Sequence, residues 1–190
     1  PCVRLTEIFR QAQQSLIVMN AHRVNRGEMP QLRDVKNDFF FLPRRSDADI
    51  ASTVVDLCKN RLPKAYGIAA ASGIQVISPS RKGAGGVENL NIMLQEALNP
   101  KPKKDVSYTH RSRSFRVGDK VMQTKNNYDT EWTKEDDSTG KGIFNGDIGV
   151  IERILPMEEK MIIRFDDRVA DYPFEILEQL ELAYAITVHK

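Results

Sequence analysis

The sequence holds no run of eighteen apolar residues, so nothing in it reads as a membrane span, and its opening residues do not read as a signal peptide. Cysteine is scarce: the 190 residues contain two, Cys2 and Cys58. Neither has metal-ligand spacing or a neighbouring histidine, so a zinc site built on them is excluded. Two reduced thiols of a cytoplasmic protein, or one disulfide, stay open as readings. Also absent is the GxxxxGK[ST] pattern by which a loop wraps nucleotide phosphates, and the chain therefore presents no nucleotide P-loop.

Charge, by contrast, is plentiful and unevenly placed. The net value is only +2, yet residues 99–125 carry eight lysines or arginines against two acids, while residues 126–181 carry fifteen acids against six bases. Such a basic run is either a solvated linker or a seam that faces phosphates beside an acidic surface. The length and the 41% apolar content allow one or two domains with cores of their own.

The middle of the chain predicts β-structure. Phe115-Arg116-Val117 and Lys120 to Thr124 alternate as strands do, with Gly118-Asp119 turning between them. From Asn126 to Lys141 all periodicity is lost, which predicts a polar, acidic loop. Asn145-Gly146 predicts a hairpin turn of the type that needs positive φ at both central residues. Strands are then expected at 147–155, 160–165 and 169–172, enough for a small antiparallel barrel.

The flanks predict alternating strands and helices. A helix is expected from Ser15 to Asn25, stopped by Gly27. Asp38 to Leu42, reading DFFFL, predicts an apolar strand covered on both faces, as in a parallel sheet. A helix from Asp47 to Arg61, capped by Ser46 or Asp47, carries Ile50, Val54, Leu57 and Leu62 on one stripe. A strand at Ile74 to Ser78 and a helix from Gly86 to Leu98 follow, so crossover helices on a parallel sheet are expected. The predicted fold class is α/β, with a small antiparallel barrel inserted.

Two loops carry chemistry. Arg10, just before the first helix, stands at a strand-to-helix junction, where α/β domains place ligand-binding groups; it is an anion ligand or a surface ion-pair partner. Between strand and helix lies Ser78 to Gly86, SPSRKGAGG, with three glycines after its cations. Its backbone N–H groups can wrap a phosphate, and a nucleic-acid phosphate fits better than a nucleotide; an ordinary flexible loop is the other reading. The chain closes on an apolar run ending in Thr187, His189 and Lys190, which reads as a truncation.

The stretches LTEIFRQAQQSLIVMNAHRVNRG, VISPSRKGAGGVENLNIMLQEALNP, FRVGDKVMQTKNNYD, IFNGDIGVI and LAYAITVHK, in that order, resemble the C-terminal half of RecD-like helicases. These are superfamily 1 DNA motors related to the alpha subunit of exodeoxyribonuclease V. The resemblance implies the second of two RecA-like domains, a partial parallel sheet, with an inserted barrel of the Src-homology-3 kind. Residues 1–112 would belong to the RecA-like domain, 113–175 to the barrel, and 176–190 to the return. It also implies ATP-driven 5′ to 3′ movement along single-stranded DNA, in repair or recombination. ATP and Mg2+ would be held with the missing N-terminal domain, so the segment alone is expected not to hydrolyse ATP.

Carried over by residue, the resemblance makes Arg10 an arginine that reaches the γ-phosphate, assisted by Gln11. Thr187, His189 and Lys190 match the start of a DNA-contacting motif, and Ser80, Arg81 and Lys82 occupy the other strand-end loop suited to phosphates. Asn20 and His22 also fall on a family motif, with a helix face around a satisfied histidine as the plainer reading. Lys120, Lys125 or Tyr128 would serve a DNA-binding face of the barrel. The implied partners are single-stranded DNA, the missing RecA-like domain and subunits of a nuclease complex. The alternative is a non-enzymatic nucleic-acid-binding or protein-docking module of a repair complex.

Overall fold

The structure, a computed structural model, describes residues 15–33, 38–101 and 107–187. The chain divides into two units, residues 1–44 and 45–190.

In the first unit, helix α1 (Leu16–Asn25) begins at Ser15, whose hydroxyl accepts from the Val18 N–H. The remaining donors of the first turn find Asp38. Its carboxylate accepts from Leu16 N at 2.8 Å, from Ile17 N at 3.2 Å and from the Ser15 hydroxyl at 2.5 Å. A carboxylate here meets both the orphan N–H groups and the positive end of the helix dipole. The Ser15 hydroxyl, first among these bonds, holds the Asp38 carboxyl below its usual range. This role corrects the strand expected at DFFFL: residues 38–44 form no strand, and Phe40 and Phe41 are 55% and 51% exposed. With Asp38 turned to the helix end, the aromatic run follows as irregular chain.

The second unit opens with α2 (Asp47–Asp56), capped by the Ser46 hydroxyl, which accepts from the Asp49 N–H. It passes directly into a π-helical turn, Leu57–Arg61, and then α3 (Leu62–Tyr66). Pro63 lacks an N–H and its ring crowds the preceding turn, so a widened turn ahead of it lets the helix continue. Gly67, at φ 64°, ends the run. The buried stripe is Ala51 and Cys58 with Val54 and Val55 beside it, whereas Ile50 of the predicted stripe is 40% exposed.

Strand β1 (Val76–Ile77) leads through a loop into α4 (Val87–Leu98). Leu90 and Leu94 of α4 share one core with Ala51, Cys58, Tyr184 and Ala185. The chain returns at β11 (Ala185–Ile186), which pairs parallel to β1, Val76 with Ala185 and Ile77 with Ile186. Asn91 of α4 fastens this return: its amide donates to Leu182 O and Ala185 O, and its carbonyl accepts from Ala185 N at 2.8 Å. Among the described residues parallel pairing is confined to these two strands, so the predicted RecA-like sheet is not seen. The strand predicted at 74–78 closes early because the Ser78 hydroxyl donates to Gly85 O at 2.8 Å and turns the chain into the loop.

Between α4 and β11 lies the β-structure. Strands β2 (Ser107–His110) and β3 (Arg113–Arg116) form a hairpin. Then come β4 (Lys120–Gln123), β5 (Asn127–Thr133), β6 (Thr139–Ile143), β7 (Ile148–Leu155), β8 (Lys160–Phe165), β9 (Arg168–Pro173) and β10 (Leu180–Leu182). These seven form one antiparallel sheet in the order β10-β4-β7-β8-β9-β5-β6. Ile143 at one end of that order and Leu180 at the other lie in the same core with Phe115, Ile151, Phe165 and Tyr172. A sheet whose two ends share one interior is curled around it, as the barrel reading requires.

Two local expectations change. The acidic stretch 126–141 is β5 and β6, not a loop. Trp132 packs across Gly140, Lys141 pairs with Glu131 at 2.8 Å, and Asp137 makes the reversal at φ 61°. Nor is Asn145-Gly146 a hairpin turn: β6 pairs with β5, whereas β7 pairs with β4 and β8, and of the two residues only Gly146 has positive φ. The turn instead hands the chain from one part of the sheet to another. At Gly149 a Cβ would stand 2.7 Å from Arg164 O and 2.8 Å from the Phe165 ring. Gly149→Ala is therefore expected to destabilise the sheet by about 1–3 kcal/mol, since packed strands cannot widen without strain; a urea midpoint equal to wild type would contradict this.

Candidate nucleic-acid interface

The carboxyl ends of β1 and β11 lie side by side, because Ser78 N donates to Ile186 O at 2.9 Å. This ladder brings the loop that follows β1, with Ser80, Arg81 and Lys82, to the same sheet edge as Thr187. All three loop residues are exposed and Thr187 is half-buried. Four of the predicted site residues are thus gathered by two short parallel strands. Asn20 and His22 lie in the other unit. Asn20 is buried and exchanges two bonds with the Gln31 backbone, at 3.0 and 2.7 Å, which makes it a brace for the chain after α1; His22 is exposed rather than a core histidine. Arg10, Gln11, His189 and Lys190, like Cys2, lie outside the described residues.

The loop does not offer its helix end in the way the glycines suggest. Val87 N donates to Ser80 O at 3.0 Å and Glu88 N to Arg81 O at 3.1 Å, so the loop folds back and caps α4 with its own carbonyls. An anion here meets side chains instead of those two amides. The Ser80 hydroxyl donates to Lys82 O at 3.3 Å. Arg81 reaches across to β10, where Nη2 donates to Glu181 Oε1 at 2.9 Å and Oε2 at 3.1 Å. Arg113 holds the same Glu181 oxygen, Oε1, at 2.9 Å and also donates to Leu180 O.

Four of the six described bases in the run 99–125 are ion-paired. Arg111 and Lys125 share Glu178, Arg113 meets Glu181, and Arg116 meets Glu96. Lys120 is buried, with Nζ donating to Ile74 O at 3.2 Å; burial lowers its basicity and raises the Cys58 thiol, while each charge eases the shift of the other. Lys120 therefore cannot face DNA from the sheet surface. Tyr128 is 67% exposed and meets Phe144 edge-on at 5.5 Å. Two acids of the 126–181 stretch, Glu178 and Glu181, serve the basic run, while most of the others that pair do so with bases of their own stretch.

Sequence reasoning missed the carboxylate that joins these parts. Asp119 is fully buried and accepts from Gln95 Nε2 at 2.5 Å, Arg116 N at 2.7 Å, Asn99 Nδ2 at 2.8 Å and the Tyr184 hydroxyl at 3.0 Å. Burial raises its carboxyl above the usual range, against the pull of those donors. One side chain thereby ties α4, the β3–β4 turn and the approach to β11 together. Gly118-Asp119 was legible as a turn, but the convergence of Gln95, Asn99 and Tyr184 on it was not.

The fold so described is an antiparallel, self-enclosed β-domain joined to a strand-helix-strand edge that presents cations. A family model described as the ATP-dependent RecD-like DNA helicase SH3 domain matches residues 90–165. Over all 190 residues the chain is 30% identical to the ATP-dependent RecD2 DNA helicase of Deinococcus radiodurans, of which it covers 23%. An uncharacterized protein of Methanocaldococcus jannaschii is 32% identical over 137 residues, 62% of this chain and 11% of that protein. The chain belongs with the RecD-like helicases, as a segment that includes their SH3 domain. It spans less than a quarter of the length of these curated relatives. Among the described residues, no helix is long and apolar enough to cross a membrane, and no cluster of His, Cys, Asp and Glu could hold a metal ion.

Proposed function

We propose that this segment is the part of an ATP-dependent, 5′ to 3′ DNA helicase that grips single-stranded DNA and lends an arginine to the ATP site. The observation that carries the reading is the meeting of Ser80, Arg81, Lys82 and Thr187 at the carboxyl edge of β1 and β11. Ligand groups in α/β folds collect at such an edge, and a hydroxyl and cations suit phosphodiester oxygens. His189 and Lys190 would extend this grip. Arg10, with Gln11, would stabilise charge on the γ-phosphate, a task for which a guanidinium's forked donors are suited. ATP and its Mg2+ would be held by another RecA-like domain. Single-stranded DNA, that domain and subunits of a nuclease complex are the proposed partners, with repair or recombination as the setting.

The test is fluorescence anisotropy of the full-length protein with an oligothymidine across a salt series. Lys82→Ala is expected to weaken binding uniformly and to reduce the log–log salt slope by about one, the mark of one lost phosphate contact. An affinity and slope unchanged from wild type would sink the assignment of this loop.

A further inference from the structure

Glu181 holds two arginines, and the two are not alike. Arg113 is anchored twice, to the carboxylate and to Leu180 O of the same strand, and its side chain is 38% exposed. Arg81 arrives from a loop, contacts Glu181 through Nη2 alone, and is 52% exposed. Its Nε lies 4.0 Å from Glu88, beyond hydrogen-bonding distance. Glu181 itself is 19% exposed. Arg113 is thus the anchored partner of Glu181, and Arg81 is the looser one, with Glu88 as the other carboxylate beside it. An exposed ion pair is weak enough to be exchanged for a competing anion, whereas the twice-anchored pair stays.

We infer, on the reading that this loop grips DNA, that Glu181 is a positioning residue that parks Arg81 until a phosphodiester oxygen takes its place. The exchange moves Arg81 from Glu181 to the DNA phosphate, while Arg113 continues to neutralise Glu181. The strand-end loop is thereby tied to β10 of the antiparallel sheet, and strand binding releases that tie. Glu181 sets the affinity of the loop by competing with the backbone phosphate, and the cost of parting the pair is deducted from every binding event.

The test is a double-mutant cycle in the full-length protein, read as the Kd for an oligothymidine by anisotropy. Glu181→Gln keeps a carbonyl for Arg113 and removes the charge that retains Arg81. It is expected to tighten binding about threefold, within the range an exposed pair allows. In an Arg81→Ala background the same change is expected to give no gain. Absence of a gain in the wild-type background would overturn the parking role. So would a gain of equal size without Arg81, which would mark Glu181 as a general repulsive charge. Failure of the grip itself reads differently, because Arg81→Ala alone would then leave the affinity unchanged.

Discussion

Asp119→Ala is expected to lower the unfolding free energy by about 3–4 kcal/mol, because it strands several buried donors at once, each worth about 1–3 kcal/mol when left unpaired. The stranded groups are the Gln95 and Asn99 amides, the Arg116 N–H and the Tyr184 hydroxyl. Asp119→Asn should be milder, about 1–2 kcal/mol, since the amide oxygen still accepts from Gln95 and the Arg116 N–H and its nitrogen donates to a rotated Tyr184 hydroxyl, opposing only the Asn99 amide. Urea unfolding followed by circular dichroism measures both. A loss below 1 kcal/mol for the alanine variant would show that the network is not a tie.

The same carboxylate carries a pH signature. Its folded-state pKa is raised by burial, so its protonated form is the one the fold favours. Its contribution is fully present below the ordinary carboxylate pKa and is lost as pH rises through the raised folded value. The difference in stability between wild type and Asp119→Asn should therefore shift against wild type as pH climbs from about 4 upward. A difference that does not change with pH would contradict a raised carboxyl.

Arg10→Ala in the full-length protein is expected to reduce ATP turnover about a thousandfold, the scale on which an arginine finger acts in phosphoryl transfer. Affinity for single-stranded DNA should be retained within about threefold, because the phosphate grip is assigned to the loop after β1 and not to Arg10. Single-turnover ATP hydrolysis with saturating DNA, beside anisotropy on the same preparation, separates the two quantities. Equal loss of both would remove Arg10 from the ATP site and make it part of the DNA grip or of the fold.

The elements most legible in the sequence were those whose signal is local. Helices α1 and α4 and strands β3, β4, β7, β8 and β9 begin and end within a few residues of their predicted positions, and α2 begins at its predicted cap, because caps and hydrophobic periodicity are properties of neighbouring residues. What failed was pairing at a distance. Strands β5 and β6 read as a loop because their cross-strand partners, Trp132 on Gly140 and Glu131 on Lys141, replace an apolar alternation. DFFFL read as a buried strand because nothing local shows that Asp38 serves the start of α1. At the candidate site, the loop and Thr187 were each legible alone. That Arg81 is held by a glutamate 100 residues away, and that Lys120 is buried, were not.

The clamp of Asn91 on the chain near Ala185 also bears on the order in which the molecule assembles. Val76 and Ala185 pair across a separation of 109 residues, and closing so long a loop carries an entropic penalty that a two-strand ladder is poorly equipped to offset. Each tenfold reduction in effective loop length lowers that penalty by about 2 kcal/mol. If the antiparallel sheet folds first, β10 on β4 delivers Leu182 to Val121, and the distance left for Asn91 to span is short. The antiparallel sheet then acts as a prefabricated tether, and the sheet edge that carries Thr187 forms last, at the rate that sheet sets.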